Sequence, residues 1–350
     1  MLKKIKLTNF RNFKSYELSL SRDTSVIVGA NATGKTNLLE AIYLLSTGKS
    51  FKARVEEEMI NYDEELSRIE GEASDSNKLE IVLTRGFIER GSMHEKTARK
   101  RLTVNGVGKR LVDFSSNFTT VIFRPQDMDL VTESPSTRRR FLDALLSQVD
   151  YEYRRSLLSY EKGLRRRNKL LWNIRENGVS RSHLYFWDKL LIKNGEYLQN
   201  KREEFVDYMN NYPQINEKKY AIEYDKSAIS DSRLKQYASE EVSAATTLVG
   251  PHRDDMLFLM GRKIDLAKYG SRGEQRMAVL WVKMVELAFI REKNKSEATL
   301  LLDDIFSELD RAHRELVFEI TRPQQTIITS ADPHNIEGLA KQNKLEITQL

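Results

Sequence analysis

The chain has 350 residues, a formal net charge of +6 at neutral pH, a pI near 9.1 and no cysteine. This excludes a disulfide scaffold and cysteine-built metal sites, and the five histidines form no H-x-x-x-H pair that would suggest zinc. No run of about 18 uncharged apolar residues could cross a membrane, and Lys3 and Lys4 are not followed by an apolar export segment, so a soluble protein is expected.

The first informative element is Thr24-Ser25-Val26-Ile27-Val28, a β-branched run that reads as a buried strand. It leads into Gly29-Ala30-Asn31-Ala32-Thr33-Gly34-Lys35-Thr36, which fits the phosphate-loop pattern G-x-x-x-x-G-K-T. Asn37 to Leu45 follows as a helix, with Leu38, Ile42 and Leu45 on one face. In that order, backbone N–H groups at a helix N-terminus can wrap the β- and γ-phosphates of a nucleoside triphosphate. Lys35 adds a positive charge, and the Thr36 hydroxyl is a candidate ligand for Mg²⁺. Strands are expected up to about residue 125, with a hairpin turning at Asn105-Gly106 and a strand Val121-Ile122-Phe123 before a loop carrying Gln126.

Helical patterns come next. Pro135 suits the first turn of one helix, 151–176 makes a second, and 181–211 a third that ends before Pro213. From about residue 242 the strand pattern returns. Tyr269 to Arg276 opens an amphipathic helix over Met277 to Ile290, and Thr299-Leu300-Leu301-Leu302-Asp303-Asp304 is an apolar strand ending in two carboxylates. Thr326-Ile327-Ile328 is a late strand giving way to Thr329-Ser330. These patterns predict an α/β head, residues 1–125 and 242–350, interrupted by a mainly helical lobe over residues 126–241.

A carboxylate at the C-terminal end of a buried parallel strand lies where ligands of open α/β sheets bind. Asp303 is therefore the expected Mg²⁺ partner, and Asp304 is expected to orient or deprotonate the attacking water. A strand-end Asp pair that merely caps the next helix is the alternative. Ser271 and Gly273 offer N–H groups, a hydroxyl and the positive end of a helix dipole, which suits either a phosphate or an ordinary helix cap.

The phosphate loop, the Tyr269–Arg276 stretch, the Asp303-Asp304 strand end and Ser307-Glu308-Leu309-Asp310 stand in the order found in ABC-type P-loop ATPases, whose signature and D-loop the second and fourth resemble. The resemblance implies ATP held by residues 29–36 of one head and by Ser271, Gly273 and Gln275 of a second, with Ser307 and Asp310 in the D-loop and Gln126 as the Q-loop contact to Mg²⁺ and the attacking water, a solvated loop glutamine being the alternative. Phe10-Arg11-Asn12-Phe13, Phe123-Arg124-Pro125-Gln126-Asp127, Ser134-Pro135, Arg138-Arg139-Arg140-Phe141-Leu142-Asp143, Gly250-Pro251-His252-Arg253-Asp254-Asp255 and Leu302 to Asp310 narrow it further. Together they resemble the RecF family of bacterial recombination and repair ATPases. That resemblance implies a cytoplasmic, nucleoid-associated, DNA-dependent ATPase that forms a homodimer on ATP. It also implies binding to double-stranded DNA near gaps and junctions, and work with RecO and RecR in loading a recombinase.

The chain also departs from related patterns. Ala32 replaces a frequent glycine, and Asp304 stands where transporter heads carry glutamate, its shorter reach suggesting slow hydrolysis. A hydroxyl of the Thr329-Ser330 segment must replace the γ-phosphate-sensing histidine, since His334 follows a proline turn and is not assigned to the site.

Positive charge is uneven. Tyr151 to Arg175 holds eight Lys or Arg against two Glu, and Ile88 to Val112 seven against two. Such excess suits a phosphate backbone. Arg165, Arg166, Arg167 and Lys169 in the lobe, with Lys96, Arg99, Lys100, Arg101, Lys109 and Arg110 around the hairpin, are the DNA candidates, a solvated helix face being the alternative. Arg138 to Arg140 suits either DNA or a structural link between lobe and head. A transporter subunit would be shorter and carry the histidine, and a chromosome-organising ATPase would need long coiled-coil arms, so both are less well matched.

Overall fold

The strand Thr24–Val28 is an inner member of a five-stranded parallel sheet with the order Thr120–Phe123, Thr299–Asp303, Thr326–Ser330, Thr24–Val28, Leu345–Gln349. Thr299–Asp303 and Thr326–Ser330 are buried along their whole length, which is why neither shows the polar–apolar alternation of a half-exposed strand. The computed structural model describes residues 1–73, 76–90, 93–115, 117–215, 219–261, 263–332 and 345–350. His334 lies outside them. Within these the chain divides into two units, residues 1–127 with 286–350, and residues 128–285.

The first unit adds a six-stranded antiparallel sheet in the order Phe13–Ser19, Leu2–Phe10, Leu66–Ala73, Lys78–Thr84, Lys100–Val104, Val107–Lys109. Its last hairpin turns at Asn105 and Gly106, both at positive φ (52° and 78°), the type I′ geometry that an Asn-Gly pair favours. Helix Lys35–Thr47 is packed between the two sheets. Leu38, Leu39, Ala41, Ile42, Leu44 and Leu45 are all buried, sharing one core with Ile5, Leu7, Ile69 and Ile81 on one side and Ile27, Ile122, Leu301 and Ile327 on the other. The helix is thus apolar around most of its circumference, not on the single face that Leu38, Ile42 and Leu45 suggest. Gly71 marks the closest approach, since a Cβ there would lie 2.6 Å from Leu45 Cδ1.

The second unit is built on helices Pro135–Val149, Tyr151–Asn177 and Tyr185–Asn211. Asp150 caps the middle one, accepting from the Tyr153 N–H at 2.8 Å. A three-stranded antiparallel sheet, Tyr220–Asp225, Asp255–Met260 and Ile264–Asp265, completes it. The unit therefore runs past residue 241 to Val285, and the region read as helical contains a strand. Tyr220–Asp225 pairs with Asp255–Met260 over six residues, and that ladder groups the second strand with the lobe.

The Gly250–Asp255 stretch acts as a clasp inside this unit. Asp254, fully buried, accepts from Arg202 Nη1 at 2.9 Å, Gln199 Nε2 at 2.8 Å, the Ser227 N–H at 2.9 Å and the Tyr224 hydroxyl. Arg202 also reaches Asp143 at 2.7 Å and the Pro251 carbonyl at 2.7 Å. Arg138 forms a bidentate pair with Asp255 at 2.6 and 2.9 Å, and Arg139 donates to the Asp254 carbonyl at 2.8 Å. Arg138 and Arg139 are thus tied to Asp255 and Asp254 of their own unit, and these contacts are not the lobe-to-head link read from the sequence. Burial holds the Asp254 carboxyl above its ordinary value despite the Arg202 charge. Among the described residues, no helix is long and apolar enough to cross a membrane.

Candidate nucleotide-binding site

The loop between strand Thr24–Val28 and helix Lys35–Thr47 is held open by two left-handed residues, Ala32 at φ 68° and Gly34 at φ 115°. Only glycine tolerates the second without strain, and a Cβ there would also strike Asn12 Nδ2 at 2.6 Å. Ala32 occupies a conformation that glycine would adopt more easily, the physical reason for glycine in related loops. The N–H groups of Gly34, Lys35 and Thr36 open the helix and have no helical acceptor, so they face the loop as donors. Lys35 is buried, and its Nζ donates to the carbonyls of Gly29 (2.6 Å) and Ala30 (2.8 Å), leaving one of its three protons for a phosphate oxygen.

Thr36 and Asp303 meet although 267 positions apart: Thr36 Oγ1 donates to Asp303 Oδ1 at 3.0 Å. Thr329 Oγ1 donates to the same oxygen at 2.9 Å from the neighbouring strand. Burial raises the Asp303 carboxyl above its ordinary value, and the two hydroxyls and the Arg124 charge only partly offset this. Asp304 adopts a left-handed backbone, φ 50°, with its N–H shared between Thr329 O and Oγ1 at 3.1 Å each and its Oδ1 accepting from the Ala331 N–H at 3.4 Å. The two carboxylates are thus fixed separately, by side-chain hydroxyls at Asp303 and by backbone at Asp304. Gln126 is exposed on the turn Pro125–Asp129, three residues beyond Phe123, whose register partner is Leu302.

Asn12 and Arg11 complete the loop's support and carried no site assignment from the sequence. Asn12 Nδ2 donates to the Thr33 carbonyl at 2.8 Å, Asn37 Nδ2 donates to Asn12 Oδ1 at 2.8 Å, and Arg11 grips the buried Glu40 with two bonds of 2.7 and 2.9 Å. The Phe10–Phe13 stretch was the signal, but nothing in its composition ties it to a loop twenty residues later.

The remaining candidates lie apart from this cluster or make local contacts. In the first unit, Ser307 Oγ donates to the Asp304 carbonyl at 2.7 Å, and Asp310 caps the helix Arg311–Thr321 through the His313 N–H at 3.0 Å. In the second unit, Ser271 and Glu274 form a reciprocal capping box at the start of helix Arg272–Asn294. The Ser271 N–H donates to Glu274 Oε2 at 2.8 Å, and the Glu274 N–H to Ser271 Oγ at 3.3 Å. Gln275 Nε2 donates to the carbonyls of Leu266 and Gly270, and a Cβ on Gly273 would meet nothing within 4 Å.

The basic clusters separate by burial. Arg167 is 2% exposed and bonded to Asp188, Glu241 and Thr247, so it cannot meet a phosphate backbone and leaves the DNA candidates. Arg165, Arg166, Lys169, Lys96, Arg101 and Lys109 are exposed. Lys100 is half-buried between Glu56 and the Gly48 carbonyl, Arg99 pairs with Glu57, and Arg110 with Asp113.

A family profile described as the RecF/RecN/SMC N terminal domain matches residues 1–349. The DNA replication and repair protein RecF of Herpetosiphon aurantiacus is 35% identical over 361 aligned positions, covering 94% of this chain and 92% of the relative. The same-named protein of Lachnoclostridium phytofermentans is 34% identical with 94% and 92% covered. A structure described as the recombination mediator protein RecF-ATP in the RecFOR pathway superimposes with a TM-score of 0.84 at 32% identity, over 95% of this chain and 92% of that one. Its RecF-ATPrS counterpart gives 0.86 at 32% identity, over 96% and 93%.

Proposed function

The chain belongs to the RecF family of DNA replication and repair ATPases, and from that membership we propose a slow, DNA-stimulated ATPase in which ATP joins two copies on duplex DNA beside a single-strand gap. The observation that carries this reading is the convergence of Thr36, Thr329 and Asp303 on one carboxylate oxygen at the phosphate loop. Hard oxygen donors and one desolvated carboxylate fit Mg²⁺, which takes few protein ligands and completes its shell from phosphates and water. Thr36 and Asp303 would hold it, with Gln126 close to its water; a bound Mg²⁺ would neutralise charge on the β- and γ-phosphates. Lys35 and the loop N–H groups bind the phosphates. Asp304, anchored by its own backbone, orients the attacking water, and its short side chain makes hydrolysis slow.

Dimerisation rests on Ser271, Gly273 and Gln275. Gly273 has no neighbour of its own chain to demand a glycine, which supports close approach of a second copy's nucleotide. The capping box holds Ser271 at the positive end of the helix dipole, and Gln275 fixes the turn before it. Ser307 and Asp310 line the partner side of the same arrangement. Duplex DNA is held by Lys96, Arg101 and Lys109, with Arg165, Arg166 and Lys169 contributing from the lobe. RecR and RecO, partners named by the RecFOR description of the relatives, are assigned by kinship, with recombinase loading at gaps in the cytoplasmic nucleoid as the outcome.

The test is to size the protein with ATP, ADP or no nucleotide, with and without gapped DNA, while measuring turnover. A dimer formed only with ATP, and turnover raised by gapped DNA, are expected. Ser271→Arg should bind ATP as a monomer. A wild-type monomer in ATP whose turnover ignores DNA overturns the reading.

A further inference from the structure

Arg124 stands beside the carboxylate of the nucleotide site with most of its hydrogen-bonding capacity unused. Strand Thr120–Phe123 runs parallel to Thr299–Asp303 with Phe123 opposite Leu302, so Arg124 follows level with Asp303. Thr329 takes the corresponding place on the other side. Asp303 therefore has a hydroxyl to one side and a guanidinium to the other, near enough for its charge to be felt at the carboxyl. Lys35 spends two of its three protons on carbonyls, and strand Thr326–Ser330 offers hydroxyls but no charged side chain. The flank that carries Arg124 is thus the place for a second cation.

Three contacts hold Arg124. Its backbone N–H donates to Asp127 Oδ2 at 3.0 Å and its Nη2 to Asp127 Oδ1 at 2.7 Å, one donor for each carboxylate oxygen. Its planar face lies over Phe51, 4.7 Å from the ring centroid, and Phe51 sits edge-on to Tyr43 of helix Lys35–Thr47. Asp127 thus engages one of the five guanidinium N–H groups. The Nε–H is closed off from water without an acceptor among the described residues, and Nη1 has no acceptor among them either. A side chain only 21% exposed and so sparsely bonded is costly to keep, and an incoming oxyanion relieves that cost. The guanidinium fork matches phosphate oxygens. We propose that Arg124 senses the γ-phosphate: its guanidinium donates to a γ-phosphate oxygen of the bound nucleotide, with Asp127 as the competing anion that holds it beforehand. A nucleoside diphosphate lacks that oxygen, so Arg124 separates ATP from ADP. The proposal deepens the nucleotide-binding reading above and rests on it.

The test titrates the full chain with a slowly hydrolysed ATP analogue and with ADP, each with Mg²⁺, at a concentration where sizing shows a monomer. Arg124→Ala is expected to lose roughly 10- to 100-fold in affinity for the analogue, the scale of a hydrogen bond between charged groups, and to hold ADP within about threefold. Arg124→Lys should recover part of the loss, since it keeps the charge without the fork. Arg124→Gln, which keeps more of the length, carries the same expectation as alanine should the alanine variant melt early. Asp127→Asn removes the competing charge, so its preference for the triphosphate should equal or exceed that of the wild type. Equal losses for analogue and ADP in Arg124→Ala, or an unchanged analogue affinity, overturn the proposal. A fall in preference in Asp127→Asn that matches the one in Arg124→Ala does so too, because the pair would then only brace its turn. A wild type that binds analogue and ADP alike overturns the proposal and spares the nucleotide-binding reading, whereas wild-type binding to neither overturns both.

Discussion

Asp303 and Thr329 are register partners on neighbouring parallel strands, and Thr329 Oγ1 donates to Asp303 Oδ1 at 2.9 Å. Side chains at paired positions of a parallel ladder leave the same face of the sheet, so the hydroxyl meets the carboxylate without any movement of a loop. The same hydroxyl oxygen accepts from the Asp304 N–H at 3.1 Å. One threonine therefore holds both the carboxylate assigned to Mg²⁺ and the backbone of the residue assigned to water.

Thr329→Val removes that bond while keeping shape. Turnover is expected to fall about 10- to 100-fold, the scale of one hydrogen bond to a charged group, while ATP affinity changes less than threefold. Thr329→Ser should restore turnover. Steady-state kinetics beside a nucleotide titration checks this, and a valine variant with wild-type turnover would show the hydroxyl to be dispensable.

Lys35→Ala removes the ammonium that bridges the Gly29 and Ala30 carbonyls and meets the phosphates. ATP affinity should drop at least about tenfold, and more where the loop loses its shape. Calorimetric titration with ATP reads the effect directly; unchanged affinity would remove the phosphate loop from the site.

Asp304→Asn keeps size and backbone bonds but removes the negative charge that handles water. ATP binding should persist, turnover should fall, and the ATP-bound dimer should accumulate on a sizing column. Turnover near wild type would assign the water to another group.

His252 makes the lobe sensitive to acid. Its Nε2–H donates to the Thr247 carbonyl at 3.0 Å and its Nδ1 accepts from the Tyr160 hydroxyl at 2.8 Å, so the partly buried ring is neutral. Burial pushes its pKa from 6.5 down to about 4, with nearby Arg253 acting in the same direction. Because the folded value lies below the unfolded one, this stability is present above pH 6.5 and lost as pH falls toward 4, by about 3 kcal/mol. Melting temperature followed from pH 7 to 4 should fall more steeply for wild type than for His252→Gln. Parallel curves would show that another group titrates.

Arg167→Ala should unfold rather than merely weaken DNA contact. It leaves Glu241, fully buried, without its cation, at a cost of about 3 to 5 kcal/mol. Arg165→Ala, a few residues away and exposed, should leave the melting temperature within about a degree or two, since exposed substitutions rarely exceed about 0.5 kcal/mol. Equal melting temperatures for the two variants would contradict the buried pair.

The strand Thr24–Val28, the loop to Thr36 and the carboxylate-ending strand Thr299–Asp303 were readable because each is specified locally, by β-branching, by glycines that alone take certain angles, and by a continuous apolar run. Thr329 was foreseen only as one hydroxyl among two, since its partner is set by strand order. Asn12 and Arg11 were unreadable as site residues because their contacts with Thr33 and Glu40 cross elements that sequence spacing does not bring together. Arg167 was misplaced for a related reason. In a run of three arginines, composition cannot say which one the helix turns inward toward Glu241 and Asp188.

Thr24–Val28 lies between Thr326–Ser330 and Leu345–Gln349, strands made some three hundred residues later. At the ribosome's usual pace of about 5 to 20 residues per second, this hydrophobic segment waits roughly 15 to 60 s before either lateral neighbour emerges. Throughout that interval its ladder groups lack both of their lateral partners, so the strand that carries the phosphate loop finds its place in the sheet only once the last part of the chain has been made.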